Sequence, residues 1–287
     1  MKIGMKALLI LLVWLSMSLS AFALNKNAKI FENHEYATNE LYPNYQEEVS
    51  REYLRLNHFE IIAALGINGV NMSDGHLKIT SSETDTLKQT NSNNWNAWLG
   101  QLGVGYIFPL INKHGFPDGP QWFPSIEPML NLYLTRFNIK GDILRFNSPN
   151  FNEFSYKSTI QSTRLMLDVA LTVLSKQQFS LYALAGIGES WNRISYKDPG
   201  ASSACPLAGI NLDSKDRYRL AWDLGAGIAY AFNPVVSLSL EYLYTNLGTL
   251  GTSDDGDTGN ITAPRLGVAH ASVDTQALLL GLHIALG

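Results

Sequence analysis

The chain has 287 residues, a formal net charge of −4 and one cysteine, with 16% charged and 11% aromatic side chains. Sparse, acidic charge excludes a basic nucleic-acid-binding face, and the lone Cys205 excludes a disulfide framework within one chain. No stretch after the first two dozen residues approaches the roughly eighteen apolar residues that a spanning helix needs.

Lys2 and Lys6 precede an apolar run, Ala7 to Trp14, and a small-residue site, Ala21-Phe22-Ala23. This order reads as a secretory signal peptide over residues 1–23. Residues 24–57 are rich in Asn, Glu and Tyr, are broken at Tyr42-Pro43-Asn44-Tyr45, and carry no sheet pattern. They are expected to form a periplasmic N-terminal extension.

From residue 58 to 287 the pattern changes to strands with period-two alternation. The first is expected over about 58–70, with Phe59, Ile61, Leu65 and Ile67 on one face and Glu60 and Asn68 on the other. A second, about 95–108, sets Trp98, Leu102, Val104 and Tyr106 against Gln101, Gly103 and Gly105. A third alternates Ile126, Leu130, Leu132 and Leu134 with Glu127 and Asn131. The fourth, about 154–174, sets Leu165, Leu167, Val169 and Leu171 against Arg164 and Asp168, and a four-residue turn, Ser175 to Gln178, leads to a fifth over about 179–193. A symmetric turn there places Arg164 opposite Glu189 and Leu171 opposite Tyr182. The sixth, about 218–232, carries Leu220, Trp222, Leu224, Ile228 and Tyr230 against Arg219 and Asp223. The seventh carries Val236, Leu238, Leu240, Tyr242 and Tyr244 against Glu241; matching faces requires a three-residue link, Asn233 to Val235, that pairs Ile228 with Leu240 and Leu224 with Tyr244. The last strand, from Val273, sets Leu278, Leu280, Leu282, Ile284 and Leu286 against Thr275, Ala277, Leu279, Gly281 and His283.

Eight strands are joined by connections that alternate long and short. The long ones fall near residues 71–94, 138–153, 194–217 and 248–272. Short turns on the periplasmic side and long loops outside mark transmembrane barrels. Aromatics collect at both ends of the apolar faces. Trp98, Trp222, Tyr242 and Tyr244 lie toward the long loops and Tyr106, Tyr230 and Phe232 toward the short turns, as two girdles at headgroup depth. The expected fold is therefore an all-β, eight-stranded antiparallel transmembrane β-barrel. Its lumen is expected to hold a polar network of Glu60, Glu127, Arg164, Asp168, Glu189, Arg219, Asp223 and Glu241, acting to hold the barrel shut.

Tyr182-Ala183-Leu184-Ala185-Gly186-Ile187-Gly188, a polar loop and the Trp222-to-Phe232 strand resemble small bacterial outer-membrane β-barrel proteins of the opacity, OmpX and OmpA-transmembrane type. The resemblance spans about residues 58–287. It implies residence in the outer membrane of a Gram-negative cell, contact with its lipid and lipopolysaccharide, and insertion by the barrel assembly machinery. It also implies surface roles such as adhesion, host contact or envelope support. Such barrels usually end on an aromatic residue; here the order is Leu286-Gly287, and the alternating leucines are expected to carry most of the insertion signal.

No cofactor or metal motif is present. Asp254-Asp255-Gly256-Asp257 lacks the ligand spacing of a calcium loop and reads as a solvated loop tip. His270-Ala271-Ser272 matches the His-x-Ser spacing of barrel-type lipid A deacylases, yet no carboxylate follows Asp274. The expectation is a non-catalytic surface protein working through its extracellular loops, with a narrow channel as the first alternative and a lipid-modifying enzyme as the second.

Overall fold

The computed structural model describes residues 58–286 apart from 79–83, 92–94, 111–118, 151–153, 199–210, 234, 254–255, 258–261 and 264–267. The expected signal peptide and N-terminal extension, and Cys205, lie outside the described residues.

Eight long strands carry the fold: β1 (His58–Met72), β2 (Ala97–Pro109), β3 (Ser125–Leu144), β4 (Phe154–Lys176), β5 (Phe179–Lys197), β6 (Asn211–Ala231), β7 (Val236–Gly251) and β8 (Val268–Leu286). Each pairs antiparallel with the next, and β8 pairs with β1, so the ladder closes into a ring. Closure removes free sheet edges, which a strand protein surrounded by hydrocarbon cannot leave unpaired. Among the described residues there is no α-helix; one 3-10 turn spans Arg145–Asn147.

The alternation fixes which way each side chain points. Leu65, Leu102, Leu167, Leu224 and Leu280 are exposed on the outer wall, and Leu220 reaches 68% exposure. Most of their strand neighbours turn inward, with Gln101, Met166, Asp168, Asp223 and Leu279 buried. The link at Asn233 pairs Ile228 with Leu240 and Leu224 with Tyr244, the register that matching faces requires. The Asn233 side chain accepts hydrogen bonds from the backbone N–H of Val235 and of Val236, both at 2.8 Å, which sets the shape of that link.

The β4–β5 hairpin differs from expectation. Its turn is two residues long, with Gln177 in the left-handed region at φ 54°, and a bulge lies between Thr172 and Leu174. Together they slip the pairing by one residue. Arg164 therefore sits opposite Ser190 and Leu171 opposite Ala183. A one-residue slip moves every side chain of a strand to the other face. Tyr182 and Leu184 point inward, while Phe179, Leu181 and Ile187 face out.

The strands run well past the outer apolar band, into segments read from sequence as loops. On β4 the outer face changes from Leu171, Val169, Leu167 and Leu165 to Thr163, Gln161, Thr159 and Lys157. The inner face changes the opposite way, to Ile160 and Tyr156. A hairpin of two short strands, Gly75–Lys78 and Thr84–Gln89, pairs with β8 and β3 and continues the wall where the β1–β2 ladder stops at Asn68 and Ala97. Inside this extension Val70, Leu77, Leu87, Phe137, Ile139, Ile160, Ile194, Tyr196, Leu247 and Val273 form one apolar core. Burying side chains of this size contributes roughly 1.5–3 kcal/mol each.

Candidate functional site

The interior of the ring is the candidate site, built in three layers. The layer at the short-turn end is a cavity of about 220 Å³, lined by residues that include Gln177, Gln178, Asn233 and Ser237 at its mouth. Three strands place its main polar chain. Glu60 on β1 meets Nε2 of His58 at 3.1 Å and Nδ1 of His283, on β8, at 3.2 Å. The other nitrogen of His283 meets the Ser239 hydroxyl on β7 at 3.0 Å. Across the cavity the Tyr182 hydroxyl donates to Glu241 at 2.9 Å. Glu127 enters from β3 over Gly105, where a β-carbon would meet its carboxylate. Glu60 thus leans on two imidazoles and Glu241 on a hydroxyl, as buried charge requires, while one Glu127 oxygen and one Glu241 oxygen are buried without a partner among the described residues.

The middle layer centres on Arg164, which is fully buried. Its guanidinium lies 5.0 Å from the ring centroid of Tyr133, a cation–π contact, and within electrostatic reach of Asp168 and Asp223. Asp168 accepts hydrogen bonds from the Asn131 amide and the Tyr133 hydroxyl. Asp168 and Asp223 approach each other over Gly186, where any larger residue would strike both carboxylates. Ile62, Leu99, Met129, Met166, Leu184, Leu243 and Leu279 enclose the layer. The third layer is the apolar core of the extension.

Of the eight residues expected to form the lumen network, Glu60, Arg164, Asp168, Asp223 and Glu241 are buried inside, and Glu127 lines the cavity. Two are not part of it. Glu189 is exposed on the outer wall, in register with Leu165 and Leu220, because of the one-residue slip of β5. Arg219 is exposed as well. Its expected inward direction fails because the β6–β7 ladder ends at Trp222 and Asn246, and its guanidinium fills the seam above. There Arg219 Nε donates to the Thr249 carbonyl at 2.8 Å, and Arg217 donates to the carbonyls of Gly251 and Thr252, each at 3.4 Å. Sequence reasoning missed His58, Tyr133, Tyr182 and Ser239. The period-two rule places His58 with Glu60, Tyr133 with Asn131, and Ser239 with Glu241; only Tyr182 depended on the slip.

The aromatics form contact chains at two heights. Phe59, Tyr106 and Phe108 stack edge to face at 4.7 and 4.5 Å, and Phe179, Tyr230 and Phe232 follow at 4.9 and 5.0 Å near the short turns. Trp222 and Tyr244 meet at 5.5 Å toward the other end, where Trp98 and Tyr242 are also exposed.

His270 and Ser272 share the outer face of β8. Partial burial, then the nearby Arg217 and Arg219, hold the His270 imidazole below its usual range. Its electrostatic neighbours are cations, the opposite of a carboxylate that would raise its basicity.

Residues 63–269 match the family profile described as "Outer membrane protein beta-barrel domain". No curated protein matches the sequence. Solved structures similar to this one include the outer-membrane protease OmpT of Escherichia coli, at 9% identity and a TM-score of 0.45 over 79% of this chain and 96% of that one. OprG of Pseudomonas aeruginosa follows at 16% identity and 0.38, over 81% and 98%. Ail of Yersinia pestis, solved with a heparin analogue, is 12% identical with a TM-score of 0.32, over 79% and 99%.

Proposed function

The chain belongs to the outer membrane protein β-barrel family and resides in the bacterial outer membrane; from that premise we propose that it is a non-conducting, non-catalytic scaffold that presents its long-loop end at the cell surface. The observation that carries this reading is the filled interior. Above the cavity, Leu99, Tyr133, Met166 and Leu243 are each fully buried, and the apolar core of the extension lies beyond them. An ion moving from the cavity to the far end has to cross these packed side chains and shed its hydration in the apolar core, which costs many kcal/mol.

The middle layer then serves as a charged clamp between strands. Arg164 on β4 makes no direct ion pair among the described residues but lies in the field of Asp168 on its own strand and Asp223 on β6, whose carboxylates approach each other over Gly186, so the layer couples walls that the ladder joins only through β5. The working surface is the extracellular end near residues 71–94, 138–153, 194–217 and 248–272, where a protein or glycan on another cell is the expected partner. Outer-membrane lipid surrounds the apolar band, and the barrel assembly machinery inserts it.

Planar-bilayer recording tests the closed interior. Purified full-length protein is expected to give no discrete conductance steps, and reproducible single-channel openings overturn the reading. The enzyme alternative is weaker because His270 faces arginines. Lipid A and phospholipids incubated with the protein are expected to keep their masses, and loss of an acyl chain overturns this part.

A further inference from the structure

The outer wall of the extension carries an ordered array of cations. Lys140 on β3 is in register with Lys157 on β4, which is in register with Lys197 on β5. All three point outward and are exposed. Neighbouring strands lie about 4.8 Å apart, so three ammonium groups stand side by side with no acid between them. Like charges directly opposite each other destabilise a sheet, and no ion pair to these lysines occurs among the described residues.

The array extends downward. Four residues nearer the apolar band, Arg136, Gln161 and Arg193 form a parallel row across the same strands. Between the two rows lie Asn138, Thr159 and Ser195, a line of amide and hydroxyl groups in which Thr159 donates to the Asn138 side chain at 2.7 Å. At roughly 3.4 Å per residue the basic rows are about 14 Å apart along the strands. Acids are few here. Asp142, half-buried, is in register with Lys88, Asp216 lies 3.9 Å from Arg193 with both side chains well exposed, and the exposed Asp213 follows Leu212 on β6, next to the upper end of β5. Other exposed cations are Lys78 and Lys88 on the hairpin beside β3 and Arg219 on β6, whereas on the far side of the ring the outward residues of β8 are His270, Ser272, Asp274 and Gln276; the cations that stand in register across neighbouring strands are those of β3, β4 and β5.

We propose that this three-strand array binds the phosphorylated saccharide headgroups of the outer-leaflet glycolipid, with the lysine row on phosphates and the Asn138-Thr159-Ser195 row on sugar hydroxyls. The direction of the face selects this occupant. It looks sideways, starting immediately above the Leu134 level of the apolar band, and what lies beside a barrel at that height is the headgroup layer of its own membrane. Lysine ammonium groups act as point charges toward phosphate, and an anion relieves the repulsion that the bare row carries. The inference rests on the reading that the long-loop end is the outer end.

The test uses refolded full-length protein in detergent and fluorescent lipopolysaccharide, intact or dephosphorylated. A triple variant, Lys140→Gln with Lys157→Gln and Lys197→Gln, is expected to weaken binding at least tenfold at low salt. Dephosphorylated lipopolysaccharide on the unchanged protein is expected to show the same loss. The corresponding Lys→Arg triple should bind normally, and Lys176→Gln at the short-turn end should have no effect. Heat-modifiable gel mobility checks folding of each variant. Unchanged binding by the glutamine triple, or indifference to phosphate removal, overturns the proposal. So does a sulfated polysaccharide that binds the row more tightly than lipopolysaccharide, since the occupant is then a soluble polyanion. Orientation is read separately. In a Cys205→Ser background, Ser155→Cys should be labelled on intact cells by an impermeant thiol reagent; absence of label removes the outer-end reading and the assigned occupant while leaving the detergent result to report on the row itself.

Discussion

The lower and upper halves of the same eight strands solve opposite solvent problems. Within the apolar band the wall is leucine outside and Glu60, Arg164, Asp168 and Asp223 inside. In the extension the wall is lysine, threonine and glutamine outside, with Phe137, Ile139, Ile160 and Tyr196 inside. The crossover on β4 takes only the step from Leu165 to Thr163 on one face and from Arg164 to Ile160 on the other. The lower half is thus organised like a protein in lipid, with its polar groups sheltered. The upper half is organised like a small soluble sheet protein closed on itself. Tyr156 and Tyr196 show the second regime well: they stack at 5.7 Å within the upper core, and burial pushes both phenols well above their usual range.

Substitutions can break this comparison on either side. Phe137→Ala removes a ring that is 1% exposed in the upper core and should cost about 3–5 kcal/mol of folding stability, measured by urea unfolding in detergent or liposomes. A loss well under 1 kcal/mol would mean that the extension does not act as a packed core. Leu167→Arg places a cation on the lipid face and should cost about 2–4 kcal/mol in liposomes. Ser155→Arg, on the same face of the same strand but above the band and in register with Asp142, should stay within about 0.5 kcal/mol of the unchanged protein. Equal costs at the two positions would remove the boundary between the halves.

The smallest expected effect concerns His270. Its imidazole should titrate below the ordinary histidine value of about 6.5 in an NMR experiment, and Arg219→Gln should move the midpoint upward. The neutral ring is favoured in the folded state. Its contribution to stability is therefore complete above the unfolded-chain midpoint and is lost as pH falls from there through the lowered folded midpoint.

Much of the lower half was legible in the sequence because one face of each strand is aliphatic and the other small or polar. The register across Asn233 followed from matching those faces. Three features resisted. Strand β5 alternates Ala183, Leu184 and Ala185 with little contrast, so its direction hung on a turn, and the turn was shorter than the run Ser175 to Gln178 implied. Arg219 follows the inward parity of Asp223 but meets the end of a ladder, which no local pattern announces. Apart from the upper part of β4, which fell within the expected strand 154–174, the extension was read as loops because its outer face has the composition of loops. In the segments read as loops the inward residues, Ile139 with Ile143 on β3 and Ile194 with Tyr196 on β5, keep the period of two within that polar background and are its sequence signal.

The two arginines that span the β6–β7 seam have a mechanical consequence. Elsewhere neighbouring strands hold one another through repeated peptide-to-peptide bonds, whereas here flexible side chains reach across to bare carbonyls. The opening is a short window rather than a split: above it the Ser253 N–H donates to the Asp213 carbonyl at 3.4 Å, and Gly256 and Asp257 pair with Leu212 and Asn211, so the two guanidinium groups act as stitches in a wall that is continuous on either side.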